Sequence, residues 1–252
     1  MSDKIKKKLI LFIGPPRSGT THIDLILRQN PIFTLPPMKE TRFLFQDEKK
    51  ISIDKYLSLF DLSREYILEI EPNYINHPEL LLPLKKYFTD ITLVIVLRDI
   101  IDRYKSLFQL KKMYNQKLDI NIDDEIIISN KIEFILNNFK TFFLDFDLLK
   151  DNPKSFFKKF HKLINIQDFN YSFENIFKKD SREPKNYILI SIAMKIQKYL
   201  RKFNLHFVAN FTKSSKIVDN ILYNKKIEHF TLEEKVLGIL RKENKEIRKY
   251  LK

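Results

Sequence analysis

Apolar residues along this chain follow two rhythms. Leu9-Ile-Leu-Phe-Ile13 is an unbroken apolar run that stops at Gly14. An unbroken run bounded by a turn residue marks a strand buried on both faces, as in a parallel sheet. Ile91-Thr-Leu-Val-Ile-Val-Leu97 is the strongest run of this kind, and Tyr66-Ile-Leu-Glu-Ile70 is another. Between these runs the spacing turns helical. Ile23, Leu25, Ile26 and Leu27 predict a helix that opens at Thr20 and ends before Pro31. "EPNYINHPELLLPLKKYF" reads as a turn and a short helix. Ile101, Tyr104, Leu107, Phe108 and Met113 predict a helix directly after the run that ends at Leu97. A helix over about 124–139, a short strand "TFFLDF" and a helix "NPKSFFKKFHKLI" follow.

Strands alternating with helices predict an α/β fold: a central, mostly parallel sheet with helices on both faces, and ligands at the carboxyl ends of the strands. From about Asn186 the chain reads as helix and loop. Its last helix, near 231–251, is opened by Thr231-Leu-Glu-Glu, a capping-box start. No repeat and no Gly/Ser/Pro-rich linker divides the 252 residues, so a single domain over 1–252 is expected.

Composition adds a bias and an exclusion. Forty-six Lys and Arg against thirty-two Asp and Glu leave a net charge of +14, which favours anionic partners. Lys, Ile, Asn and Phe are all abundant and Gly is scarce, a suite that an AT-rich coding bias produces without selection for a ligand. The absence of Cys excludes disulfides and thiolate metal sites and fits a cytoplasmic protein. The apolar run after Lys6-Lys-Lys8 is too short for a signal peptide or a membrane span.

The chemistry concentrates in "GPPRSGTT", Gly14 to Thr21, between a buried strand and a helix start. Such a loop presents backbone N–H groups, and the helix dipole adds partial positive charge, so an anion is expected there. Gly14 and Gly19 let the backbone approach it; Ser18, Thr20 and Thr21 add hydroxyls, and Arg17 a full charge. A nucleotide-hydrolysing P-loop carries Lys where Thr20 stands, and no acid follows a strand convincingly enough to hold Mg²⁺. Asp99 lies beyond Arg98, a competing cation.

This loop resembles the 5′-phosphosulfate loop of sulfotransferases that use 3′-phosphoadenosine 5′-phosphosulfate (PAPS), enzymes with a P-loop-like fold. In that family a strand runs into a helix carrying Arg and, two turns on, Ser, which hold the 3′-phosphate. Arg98 and Ser106 in "VIVLRDIIDRYKSLF" stand at that spacing. "MKETRFLF" resembles the Lys-Glu-x-x-Phe-Phe segment of the heparan-type and bacterial carbohydrate branch, which implies Glu40 as the base that deprotonates the acceptor hydroxyl. "DKYLSLF", "EIEPNYI" and "FLDFDLLKDNPKSFFKKFHKLINI" resemble further segments of that branch. Where some members carry a functional Lys, this chain has Ile70. The resemblance runs from about residue 8 to 170.

What it implies is a PAPS-dependent sulfotransferase acting on a carbohydrate or glycolipid hydroxyl and releasing 3′-phosphoadenosine 5′-phosphate (PAP). Glu40 and Arg17 are the catalytic residues; Arg17, Ser18, Gly19, Thr20, Thr21, Arg98, Ser106 and Arg182 bind the donor. No metal is required, because the leaving phosphate is already stable as an anion, and no nucleic acid is expected as a partner. Rival readings stand beside these. Arg98 could pair with Asp102, Glu40 could be a solvated loop carboxylate with Glu69 or Glu71 as the base, and Arg182 could be a surface charge. The five His carry no metal-ligand spacing and read as structural or surface residues. The segment 188–203 reads as a helix packed on the core, or as one that touches a membrane or a polyanionic acceptor. A P-loop small-molecule kinase and a non-enzymatic polyanion-binding protein are the alternatives for the whole chain.

Overall fold

The computed structural model describes residues 5–46, 52–113, 120–174 and 232–251, with the short pieces 182–184, 192–193, 196 and 223–225. The chain divides into two compact units. One holds Met1–Arg103, Asn121–Phe177 and Glu234–Lys252; the other holds Tyr104–Ile120 and Lys178–Glu233.

The first unit is built on a five-stranded parallel sheet of β1 (Ile5–Phe12), β2 (Phe33–Thr34), β3 (Tyr66–Ile70), β4 (Phe88–Leu97) and β5 (Lys140–Asp145), in the order β2-β3-β1-β4-β5. β1, β3 and β4 read as continuous apolar runs because both of their faces are covered. On one face Ile10 and Phe12 of β1, Leu68 and Ile70 of β3, and Val94 and Val96 of β4 pack with helix α1 (Thr20–Leu27). The same core takes in α7 (Pro153–Ile164), which follows the single turns α2 (Ile53–Leu57) and α4 (Ile122–Glu125), and α6 (Phe146–Asp151). α7 buries Phe156, Phe157, Phe160, His161 and Ile164, a helical stripe, and Phe160 meets Phe12 at 5.2 Å between ring centroids. The Asn152 side chain caps it by accepting the Ser155 N–H at 3.0 Å, with Pro153 at its first position.

Among the described residues, the expected elements appear with shifted ends. β1 starts at Ile5, before the apolar run, because the cations at its entry find partners: Lys7 donates to the Arg64 carbonyl at 2.7 Å and Lys8 to the Tyr66 hydroxyl at 3.2 Å. The helix expected near 124–139 is α4 and then α5 (Ser129–Asn138), parted by a turn whose carbonyls, of Glu125 and Ile126, accept the buried Arg103 guanidinium. The last helix, α8 (Glu234–Arg248), begins beyond Thr231, which lies outside the described residues. The helix after β4 is α3 (Ile100–Met113), whose residues from Tyr104 belong to the second unit. That unit also holds β6 (Arg182–Pro184), paired antiparallel with β7 (Tyr223–Lys225).

From β1 the chain moves to one side of the sheet, to β2 and β3; after crossing to β4 it moves to the other side, to β5. The connections leaving β1 and β4 therefore diverge. The crevice between the carboxyl ends of these two strands is where an open α/β sheet binds its ligand.

Candidate functional site

The loop after β1 occupies that crevice. The sheet ladder is prolonged into it: Ile13 N–H donates to the Val94 carbonyl at 3.2 Å, and Val96 N–H to the Gly14 carbonyl at 3.1 Å. Gly14, at φ 126°, lies so close to the chain after β3 that a Cβ would sit 2.4 Å from the Pro72 carbonyl oxygen. Gly19, at φ 75°, opens α1 with no side-chain cap. The N–H groups of Ser18, Gly19, Thr20 and Thr21 thus point past the helix start with no partner among the described residues. Ser18 is fully buried, and its Oγ has no hydrogen-bond partner among the described residues. Buried hydroxyls are nearly always satisfied, so an orphan beside open backbone donors is the signature of a place for an anion. Thr20 is buried, and Arg17 and Thr21 are exposed.

Arg98, directly after β4, folds back onto this loop. Its Nη1 donates to the Arg17 carbonyl at 2.8 Å, and its guanidinium lies 4.5 Å above the Phe146 ring at the start of α6. Its Nε is buried and has no partner among the described residues. Burial lowers the guanidinium pKa, against the pull of Asp102, Asp147 and Asp99, and the group keeps its charge. Phe146 carries the other side as well, since a Cβ on Gly19 would come within 2.9 Å of its ring. One aromatic side chain therefore supports both the loop and Arg98. It was missed in the sequence, where it reads as one more apolar residue at a strand end.

Asp99 is a structural anchor: its Oδ1 accepts the N–H groups of Ile101 and Asp102, and its Oδ2 accepts Asn244 Nδ2 at 2.7 Å. Ser106 lies half-buried on α3, within the second unit. Arg182 has its backbone in β6 of that unit, and its side chain lies outside the described residues, as does most of 188–203.

The Glu40 segment reaches the same end of the sheet by way of β3. Glu40 N–H donates to the Ile70 carbonyl at 3.2 Å, Ile70 is the register partner of Phe12, and Glu71 N–H donates to the Phe12 carbonyl at 3.0 Å. The Glu40 carboxylate is exposed and takes the Lys39 ammonium at 2.5 Å. The two other candidate bases are occupied. Glu69 is buried, with Oε1 accepting the Thr41 hydroxyl and Oε2 the Tyr56 hydroxyl at 2.6 Å. Burial pushes its pKa up to about 7, against the lowering effect of these two hydrogen bonds. Glu71 is buried too and accepts Arg42 N–H at 3.2 Å and Asn73 Nδ2 at 3.0 Å; burial raises its pKa, and the negative charge of Glu40 adds to this. His161 is a core residue, its Nε2 2.7 Å from the Tyr171 hydroxyl. Among the described residues no group of His, Asp and Glu is set to hold a metal ion, and no helix is long and apolar enough to cross a membrane.

The same architecture is found in a sulfotransferase from Alicyclobacillus acidocaldarius, with a TM-score of 0.58 over 83% of this chain and 96% of that one, at 15% identity. The chain has the sulfotransferase fold. Two further sulfotransferase domains share it. The one from the curacin biosynthetic pathway has a TM-score of 0.52 at 11% identity, covering 71% of this chain and 80% of that one. The one from the Synechococcus PCC 7002 olefin synthase has a TM-score of 0.51 at 12% identity, covering 72% and 81%. No protein-family model matches the sequence, and no curated protein does. The sulfotransferase fold of this chain is thus carried by its architecture at low sequence identity.

Proposed function

We propose that this chain is a sulfotransferase that moves a sulfuryl group from PAPS to an acceptor hydroxyl, that of a carbohydrate or glycolipid. The observation that carries the reading is one place on this fold where a buried, unpartnered Ser18 hydroxyl, open loop N–H groups and the Arg98 guanidinium meet. A strand end holding the exposed carboxylate of Glu40 adjoins it.

The residues fit a phosphosulfate. Ser18, Thr20, Thr21 and the N–H groups of Gly19 and its neighbours would hold the 5′-phosphate, with Arg17 offsetting the charge that grows on it as it leaves. Arg98, Ser106 and Arg182 are assigned to the 3′-phosphate. PAPS, when bound, supplies an activated sulfuryl group whose leaving phosphate needs no protonation. Glu40 takes the acceptor's proton as the acceptor oxygen forms its bond to sulfur; the S–O bond to the 5′-phosphate breaks, and PAP leaves with the bonding pair. Lys39 pairs with that carboxylate, and the Glu40 backbone is tied to the strand end through the Ile70 carbonyl. Glu69 and Glu71 are the poorer choices for a base, because both are buried with both oxygens committed, to Thr41, Tyr56, Arg42 and Asn73, whereas Glu40 is exposed and engages one oxygen, with Lys39.

Ligand-dependent thermal shift separates this reading from a nucleotide kinase. PAP is expected to raise the melting temperature and ATP-Mg²⁺ to leave it unchanged; the reverse pattern sinks the proposal. Turnover is then followed by label transfer from radiolabelled PAPS to an alkyl glucoside, an oligosaccharide and a simple phenol. Glu40→Gln is expected to keep PAP affinity and to lose at least about a hundredfold in turnover.

A further inference from the structure

Glu40 and Arg42 both hold left-handed backbone, at φ 63° and 53°. Residues of this kind adopt that conformation only where their surroundings hold them in it. Three successive residues at the end of β3 supply the hold. The Glu69 carboxylate accepts the Thr41 hydroxyl, the Ile70 carbonyl accepts Glu40 N–H at 3.2 Å, and Glu71 Oε2 accepts Arg42 N–H at 3.2 Å. Residues 40, 41 and 42 are thus each gripped by a different one of residues 69, 70 and 71.

The grip is fixed in turn from behind. Tyr56 donates to the second oxygen of Glu69 at 2.6 Å, and its ring stacks on Phe43 at 4.6 Å. Asn73 holds the second oxygen of Glu71. Both residues are only 1% exposed, and all four carboxylate oxygens are already engaged. Two buried acids side by side are expensive to desolvate, and the proton transfer described above uses neither.

We propose that Glu69 and Glu71 are positioning residues: through Thr41 and Arg42 they hold the strained turn that aims the Glu40 carboxylate at the acceptor hydroxyl. The inference rests on the reading of Glu40 as the base. A carboxylate carried on an exposed loop samples many directions, and a misplacement of about 1 Å can cost a hundredfold in rate.

Thr41 gives the cleanest test, since its replacement leaves both buried acids in place. Thr41→Val is expected to lower kcat, measured with the fastest of the three acceptors above, by roughly ten- to a hundredfold, while PAP affinity stays within about twofold. Thr41→Ser, which restores the hydroxyl, recovers most of the rate. Combined with Glu40→Gln, Thr41→Val costs nothing further, because the group it positions is gone. Hydrogen exchange gives a readout that needs no acceptor: the amides of residues 40 and 42 exchange at least about tenfold faster in Thr41→Val than in Thr41→Ser. Normal kcat and unchanged exchange in Thr41→Val overturn the clamp and leave the sulfotransferase reading intact. A kcat loss that persists in the Glu40→Gln background also overturns it, since Thr41 then acts on the fold. A wild-type chain that fails to bind PAP overturns the functional reading, and the clamp with it.

Discussion

Gly14 and Gly19 are two of only three glycines in the chain, and both sit in the loop at the candidate site with positive φ. The third, Gly238, is exposed in α8 with nothing within 4 Å of a Cβ. The two environments predict opposite signs. Gly19→Ala puts a methyl 2.8 Å from Leu149 Cδ2 and 2.9 Å from the Phe146 ring on left-handed backbone, and is expected to destabilise by about 2–4 kcal/mol. Gly238→Ala removes a helix-interior glycine and is expected to stabilise by about 0.5–1 kcal/mol. Urea midpoints measure both; a Gly19→Ala variant as stable as wild type contradicts the loop packing described here. This loop was legible in the sequence because two glycines, three hydroxyls and Arg17 coincide between a buried strand run and a helix start. The state of Glu69 was not legible. In "YILEI" it looks like the polar break in a strand, and only the packed sheet shows it buried between Thr41 and Tyr56. Its pKa of about 7 lies above the ordinary 4.5. Between those values the native chain keeps a proton that the unfolded chain has lost. Stability therefore falls as pH rises through that window, by on the order of 3 kcal/mol from this group, and levels off above it. Glu69→Gln cannot titrate, and its pH-stability profile should lose that slope; an unchanged slope would place the proton elsewhere.

At the scale of elements, the candidate site depends on a helix far from it in sequence. Asn244 of α8 accepts the Ile100 N–H at 3.2 Å and donates to Asp99, so it fixes the turn on which Arg98 stands. Its neighbour Glu243 caps α5, accepting the N–H groups of Ile128 at 2.8 Å and Ser129 at 2.9 Å. Tyr250 closes the set by stacking on Phe143 of β5 at 4.9 Å. Asn244→Ala removes the acceptor of the Ile100 N–H and one donor to Asp99, which keeps Ile101, Asp102 and the Arg248 guanidinium at 4.0 Å, and is expected to cost about 1–3 kcal/mol in stability. It should also weaken PAP binding several-fold by loosening Arg98, which calorimetry measures. Unchanged affinity would mean that Phe146 and the Arg17 carbonyl set Arg98 unaided. The apolar runs of β1, β3 and β4 were readable because both faces of those strands are covered, whereas β2 is two residues long and carries no period at all. The bond from Asn244 to Asp99 spans 145 residues, and no local pattern encodes a contact at that separation.

For the molecule as a whole, the fold was legible from alternation of strand and helix patterns, and the acceptor was not, because an α/β scaffold specifies where a ligand binds and not which one. The net charge of +14 is the remaining global property with a consequence for the proposed donor, PAPS, which carries several negative charges. Raising salt from about 0.1 M to about 1 M shortens the screening length from about 10 Å to about 3 Å, so long-range attraction is lost while contacts inside a protein are little screened. If PAP is steered by the overall field and then held by buried groups such as Ser18 and the half-buried Arg98, the two rate constants respond differently. Association, followed by stopped flow, is expected to slow by about tenfold or more over that range, and dissociation to change by less than about threefold. Salt acts on the two rates separately because steering is felt before contact and the orphaned donors only after it. A dissociation rate that rises as steeply as association falls would place the nucleotide on surface charge alone, which is what a polyanion-binding protein without a built donor site does.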